Sequence, residues 1–356
     1  MKYLIVQEWL STRGNHTGMN HMCDMLVELY PEEFVKIRNA CPPRNIKGSS
    51  VVRKLYRHLY LTYYRIVSKI TYIKLFRPYI SKIKKGDEVY LLEYNFNEVA
   101  QYEFGCYLKK KKPDIRIYAL SHMTSSLLGL LKREKSILKH DEIVDVELTL
   151  GTSLTSFFEK IGIKPSKIST GFHYVDSFYY KKDPTTIKED DYLTILMMGG
   201  MLRNYVLLSE IVKRTPEVNW VICRGRNESV DSYFYDCKNV SLKGYLSEID
   251  LKGLMDMANV SINVMEDTVG SNVITTSMSM GMAMIVSDVG SIRDYCDDSN
   301  AVFCSNTVES FVDAIDKLSL DKKRVKEMRL SSIRKSESFE IGYVKDWFNS
   351  LKGVNE

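Results

Sequence analysis

The chain is predicted to be an α/β protein of two domains, each built on a parallel sheet. Three observations carry that expectation. The chain has 356 residues, too many for one ordinary hydrophobic core. Short apolar runs alternate with helix-period runs almost throughout, which argues for parallel strands joined by crossover helices. Glycine follows strand after strand in the second half, as at the carboxyl edge of nucleotide-binding sheets.

The elements follow in order. Lys2–Val6 is an apolar run cut off by Gln7-Glu8, which reads as a first buried strand and not as a signal peptide. A polar loop, Ser11–Gly18, contains His16, Thr17 and Gly18, and a helical pattern runs on from Met19. Glu88–Leu92 and Ile115–Leu120 read as strands, with helical stretches near Val99–Lys109 and Ser125–Lys135. Lys181–Thr186, polar and bearing Pro184, is the expected linker. Beyond it come the strands Leu193–Met198, Asn219–Cys223, Val240–Leu242, Val260–Val264 and Ala283–Val286, then helices to Leu351. The expected division is 1–180 and 188–337, with 338–356 as a final helix packing back on the first domain.

Composition bounds the function. Hydrophobic residues make up 44% and charged ones 27%, a globular balance with a mild net charge of +5. Seven cysteines contain no C-x-x-C pair, which leaves zinc knuckles and thioredoxin chemistry without support. Their odd number suits a reducing compartment. No stretch reaches the roughly 18–20 apolar residues of a membrane span. The expected location is cytoplasmic, with peripheral contact to the inner face of the plasma membrane as the one membrane association in view.

That contact comes from Val51–Lys85. The span holds Arg53, Lys54, Arg57, Arg65, Lys69, Lys74, Arg77, Lys82, Lys84 and Lys85 and no acidic residue. Leu59, Tyr63, Ile66, Ile70 and Ile73 recur every three or four residues beside them. A basic amphipathic helix rich in tyrosine suits an anionic membrane; a helix packed on the sheet with a solvated basic face is the plainer alternative. No motif supports nucleic-acid binding.

The segment Val260–Asp294 carries the chemistry. A strand runs into Glu266-Asp267-Thr268-Val269-Gly270-Ser271-Asn272, a helix follows and stops at Gly281, and the strand Ala283–Val286 leads to Ser287-Asp288-Val289-Gly290. Backbone N–H groups at a helix start have no intrahelical partner, and the helix dipole adds positive charge there, so a diphosphate suits Gly270 and Ser271. An ordinary loop with a glycine for turn geometry is the alternative on these residues alone.

The run Gly270–Gly290 resembles the donor-site block of retaining family 4 glycosyltransferases. Leu196–Arg203, Lys243–Ser247, Met257–Ile262 and Gly171–Phe178 resemble further blocks of that family, in the right order. The likeness is good over about 145–300 and looser before. It implies the GT-B fold, two Rossmann-like domains facing an interdomain cleft, with the acceptor on the first and a nucleotide-sugar on the second. Donor contacts are expected at Gly18, Gly200, Arg203, Tyr245, Thr268, Gly270, Ser271, Asn272 and Thr276, with Arg224 or Arg226 in place of the lysine the family usually carries soon after Arg203 and Glu266 in place of a missing glutamate. His122 and Arg203 are the implied catalytic residues, and His16 and Thr17 belong to the acceptor side or to the loop alone. No DxD-type metal motif stands in a suitable place, so neither metal nor other cofactor is expected.

One departure matters. Thr268 and Thr276 stand where the family usually has two glutamates, the second of which holds the donor ribose. A neutral hydrogen bond contributes roughly 0.5–1.5 kcal/mol against about 1.5–3 for a charged one. Glu266 and Asp267 are the carboxylates near enough in sequence to replace them. The implied activity is transfer of a sugar to a glycan or lipid-linked acceptor in surface polysaccharide or glycolipid synthesis. A nucleotide-sugar epimerase or a non-catalytic scaffold on the same fold are the alternatives.

Overall fold

The computed structural model describes residues 1–8, 14–40, 59, 63, 70, 78–95 and 101–351, without the side chains of 38–40. The chain divides into two compact units. Unit 1 comprises Met1–Leu150, Leu154–Gly171 and Phe348–Glu356, and unit 2 Gly151–Ser153 and Phe172–Trp347.

Unit 1 is a parallel sheet in the order β2-β1-β3-β4-β5-β6. The strands are β1 (Lys2–Glu8), β2 (Phe34–Ala40), β3 (Glu88–Leu91), β4 (Arg116–Leu120), β5 (Val146–Thr149) and β6 (Ile168–Thr170). All of β1 is buried, as expected where helices cover both faces of a parallel sheet. Its helices with described bounds are α1 (Gly18–Leu29), α2 (Gln101–Lys111), α3 (Ser125–Leu131), α4 (Glu134–Asp141) and α5 (Thr152–Lys160), and Leu59, Tyr63, Ile70 and 78–80 are helical as well. The single helix expected over Ser125–Lys135 is thus two helices. Lys132 breaks it by turning extended, at φ −134° and ψ 138°, with its side chain in the interior.

Unit 2 repeats the plan in the order β12-β11-β10-β7-β8-β9, again all parallel. Its strands are β7 (Thr194–Met197), β8 (Asn219–Cys223), β9 (Val240–Lys243), β10 (Val260–Asn263), β11 (Ala283–Ser287) and β12 (Ala301–Cys304). Its helices are α6 (Tyr205–Arg214), α7 (Glu248–Met257), α8 (Asn272–Ser279), α9 (Val308–Leu320) and α10 (Lys322–Ser336). Alternate strand residues feed two cores. Ile195, Trp220, Ile262 and Ile285 meet Phe311 and Ile315 on one face. Leu196, Met284 and Val286 meet Met278, Met280 and Tyr295 on the other.

The boundaries differ from the expected 180 and 338. Residues 172–180 are tied to unit 2, where the Val175 N–H donates to the Phe339 carbonyl at 2.8 Å and the Tyr180 hydroxyl to Glu248 at 2.6 Å. The last helix, α11 (Ile341–Ser350), begins in unit 2 and ends in unit 1. In unit 1 the Phe348 ring stacks on Tyr90 with centroids 4.6 Å apart. No helix among the described residues is long and apolar enough to cross a membrane.

Candidate functional site

In unit 2 the strand order turns back between β7 and β10. Ligands of such sheets bind beyond the carboxyl ends of the strands at that point. Three segments converge there: the turn after β7, the loop after β10 and the first turn of α8.

The turn after β7 carries Gly199, Gly200 and Arg203. Gly199 has φ +79°, and a Cβ on it would lie 3.2 Å from Val273 Cγ2 and 3.3 Å from Arg203 Nη2. Gly199 therefore touches both the guanidinium and the first turn of α8. Gly200 has only the Tyr205 hydroxyl near it, at 3.8 Å, so space does not require a glycine there. Leu202 holds φ +53°, a strained value for a leucine. Short backbone pairing fixes it: Glu266 N–H donates to the Leu202 carbonyl at 2.9 Å and Asn204 N–H to the Val264 carbonyl at 3.1 Å. Asn204 also caps α6, accepting from Leu207 N–H at 2.8 Å, and donates to Glu266 Oε1 at 2.5 Å.

That frame holds Arg203 with Nε and Nη1 buried and without a hydrogen-bond partner among the described residues. Burial pushes its guanidinium down to about 10, partly offset by Tyr205, so it stays charged at neutral pH. A buried cation without a partner is costly unless an anion meets it.

The loop after β10 is shaped by two glycines. Gly270, at φ +85°, lies against the ring of Tyr295. A Cβ at Gly290 would come 2.1 Å from the Thr268 carbonyl, so the turn after β11 and this loop need a glycine to pass. Ser271 caps α8, accepting from Ile274 N–H at 3.4 Å. The helix ends in a Schellman motif: Met282 N–H donates to the Ser277 carbonyl at 3.1 Å and Gly281 N–H to the Met278 carbonyl at 2.9 Å.

Both threonines are turned inward. The Thr268 hydroxyl accepts from Gly270 N–H at 2.9 Å, and the Thr276 hydroxyl donates to the Asn272 carbonyl one turn back. The Asn272 amide donates to the Tyr174 carbonyl at 3.0 Å. Of the expected carboxylates, Asp267 accepts from Thr268 N–H at 2.8 Å, while Glu266 is exposed beside Asn204.

Arg224 and Tyr245 lie beyond β8 and β9. Arg224 Nε pairs with Asp231 at 2.5 Å and Nη1 donates to the Gly225 carbonyl, so it is engaged inside its own loop. Arg226 stacks over the exposed Tyr245 ring, 4.1 Å from its centroid.

In unit 1, Gly18 opens α1 at φ +83° and Thr17 precedes it as the N-cap, making no side-chain cap bond. His16 meets His21 edge to face at 4.9 Å. His122 directly follows Ser121 at the end of β4, and burial pushes its imidazole down to about 4. Sequence reasoning passed over Gly199, Asn204, Gly290 and Tyr295 as site residues. The first three lie in glycine turns or cap positions that could have marked them; Tyr295 has no local signal.

The profile of glycosyl transferases group 1 matches residues 194–321. No curated protein matches the chain. Three solved structures share the fold over nearly all of both chains. Anabaena HepE, in complex with UDP and glucose, is 10% identical, covers 98% of each chain and has a TM-score of 0.69. The lipopolysaccharide outer core galactosyltransferase WaaB is 14% identical, covers 99% of each and has a TM-score of 0.68. Sucrose-phosphate synthase of Thermosynechococcus elongatus is 11% identical, covers 99% of each and has a TM-score of 0.70. With two doubly wound sheets and a group 1 glycosyl transferase match over residues 194–321 of the second, the chain has the GT-B fold of these structures.

Proposed function

We propose that the chain moves a sugar from a nucleotide-sugar to a glycan or lipid-linked acceptor, with retention, in surface polysaccharide or glycolipid biosynthesis. The carrying observation is Arg203: its Nε and Nη1 are buried and without a hydrogen-bond partner among the described residues, and a Cβ on Gly199 would lie 3.3 Å from its Nη2 and 3.2 Å from Val273 in the first turn of α8. The donor diphosphate would lie between that cation and the helix N-terminus. The C1–phosphate bond breaks as the acceptor oxygen bonds to C1, and the acceptor proton passes to the leaving phosphate. Negative charge grows on that phosphate, and Arg203 stabilises it there. In this reading a fixed cation and backbone N–H groups meet the phosphate charge, without a metal.

His122, kept neutral, would hydrogen-bond the transferred sugar. The nucleotide in HepE supports the donor class, and WaaB supports a cell-surface acceptor. Leu59, Tyr63 and Ile70 are helical and exposed, which favours membrane contact over a packed helix; the rest of 51–77 lies outside the described residues. The test is a nucleotide-sugar panel read by thermal shift, followed by assay of the responding donor for released nucleoside diphosphate and for the anomeric configuration of the product. A panel in which no donor raises the melting temperature would sink the reading.

A further inference from the structure

Unit 1 buries an ammonium and a carboxylate that do not pair with each other. Lys132 is 7% exposed and forms no ion pair among the described residues. Its Nζ donates to Asn95 Oδ1 at 3.2 Å and lies 3.1 Å from His140 Nδ1. Glu147, on β5, is fully buried, with neither carboxyl oxygen hydrogen-bonded among the described residues. A methionine or leucine would fill the place of Lys132 at less desolvation cost. What an apolar residue could not do is donate to Asn95.

Asn95 is the next link. It lies in the turn after β3 at φ +64°, a left-handed conformation that asparagine adopts more readily than other L residues. Its Nδ2 donates to Ser121 Oγ at 2.8 Å, and both residues are buried. Tyr94 N–H donates to the Leu120 carbonyl at 3.0 Å, so the same turn also grips the end of β4 through its backbone. His122 is the next residue. A line of hydrogen bonds therefore runs from the break between α3 and α4, through β3's turn, to the residue before the imidazole.

We propose that Lys132 is a positioning residue for His122, holding the end of β4 through Asn95 and Ser121. The inference rests on the glycosyltransferase reading that puts His122 beside the sugar. Lys132 is protonated while it grips Asn95. In that state His140 Nδ1 is the acceptor, which fixes its proton on Nε2, and the ring is clamped flat on Tyr102 with centroids 3.9 Å apart. The charges that bear on this interior are Glu103 of α2, Glu147 of β5, and Lys139, His140 and Asp141 of α4, with Lys167 beside Asp141. Burial pushes Lys132 down to about 8, so the grip weakens as pH rises through that value.

The experiment compares Lys132→Met and Asn95→Gly with the wild type and with Arg203→Ala, on the full chain, measuring kcat, donor KM and melting temperature. Glycine suits φ +64°, so Asn95→Gly removes the relay without adding strain. Expected for both is a kcat at least ten-fold lower, a donor KM within two-fold, and for Lys132→Met a melting temperature equal to or above that of the wild type. Wild-type kcat in either folded variant, or kcat and melting temperature falling together in both, would overturn the proposal. If Lys132→Met does not fold, Asn95→Gly decides. A wild type that turns over no nucleotide-sugar refutes the functional reading and the proposal with it. Loss of donor binding in Arg203→Ala beside wild-type kcat in the other two refutes the positioning role alone.

Discussion

The ring of Tyr295 lies flush over Gly270: a Cβ on that glycine would come 2.1 Å from ring atoms Cε2 and Cζ. The Tyr295 hydroxyl accepts from His173 N–H at 2.9 Å and donates to the Val269 carbonyl at 3.3 Å. The ring cannot withdraw without breaking both bonds. Gly270→Ala therefore meets overpacking and an unfavourable φ together, a cost of about 2–5 kcal/mol. It should lower the melting temperature and weaken donor binding. An unchanged melting temperature would show that the ring does not constrain the loop.

Arg203→Ala should behave in the opposite way toward stability. It removes a guanidinium whose buried Nε and Nη1 have no hydrogen-bond partner among the described residues, so the free protein should melt at the same temperature or higher. Nucleoside diphosphate affinity should fall by roughly 10- to 100-fold, from loss of a charged contact of about 1.5–3 kcal/mol. Arg203→Lys should restore only part, because an ammonium cannot make the guanidinium's paired contacts. Calorimetric titration of the three proteins checks it.

Thr276→Val should leave donor affinity within two-fold, since the hydroxyl it removes is already bonded to the Asn272 carbonyl. Thr268→Val should instead reduce stability by about 1 kcal/mol, because Gly270 N–H loses its acceptor. A ten-fold loss of donor affinity in Thr276→Val would return the ribose contact to position 276.

His122 is neutral in the folded protein until pH falls to about 4. Its pKa is depressed, so the unfolded chain takes up the proton first, and stability drains away as pH falls from about 6.5 toward 4. The rate should show no limb from this imidazole between pH 5.5 and 8. His122→Gln should flatten the acid loss of stability, measured as melting temperature against pH.

Glu147 has the reverse sign. Burial, with Asp141 adding to it, pushes its carboxyl up to about 8. The folded state then holds a proton that the unfolded state has already lost, so this group costs stability as pH rises from about 4.5 to 8. Glu147→Gln should match the wild type near pH 4.5 and gain on it steadily to pH 8, ending ahead by a few kcal/mol at the order-of-magnitude level. A constant difference across that range would show that Glu147 is ionised throughout.

Several strands of unit 2 are legible in the sequence because a positive-φ glycine follows the apolar run within a few residues, as Gly199, Gly225 and Gly290 do after β7, β8 and β11. Unit 1 is harder to read. β2, over Phe34–Ala40, alternates apolar with Lys36 and Arg38 as a solvated edge does, and β6 has only three residues. The β5 strand hides behind Glu147, a charged residue where a buried strand should be apolar. In the site, Arg203 is visible from its place after a strand and a double glycine. That Arg224 is engaged by Asp231 depends on a loop conformation that spacing does not encode.

The inward-turned hydroxyls of Thr268 and Thr276 bear on the end of the catalytic cycle. On the proposed function, with both engaged by backbone, neither hydroxyl is offered to the nucleoside, and the phosphates would be the main handle on the donor. The leaving nucleoside diphosphate carries one more negative charge than the donor from which it came. A site organised around Arg203 and a helix N-terminus would hold that species more tightly than it holds the substrate. On the proposed function, escape of the spent nucleotide, and not bond cleavage, should limit turnover, and added nucleoside diphosphate should inhibit it.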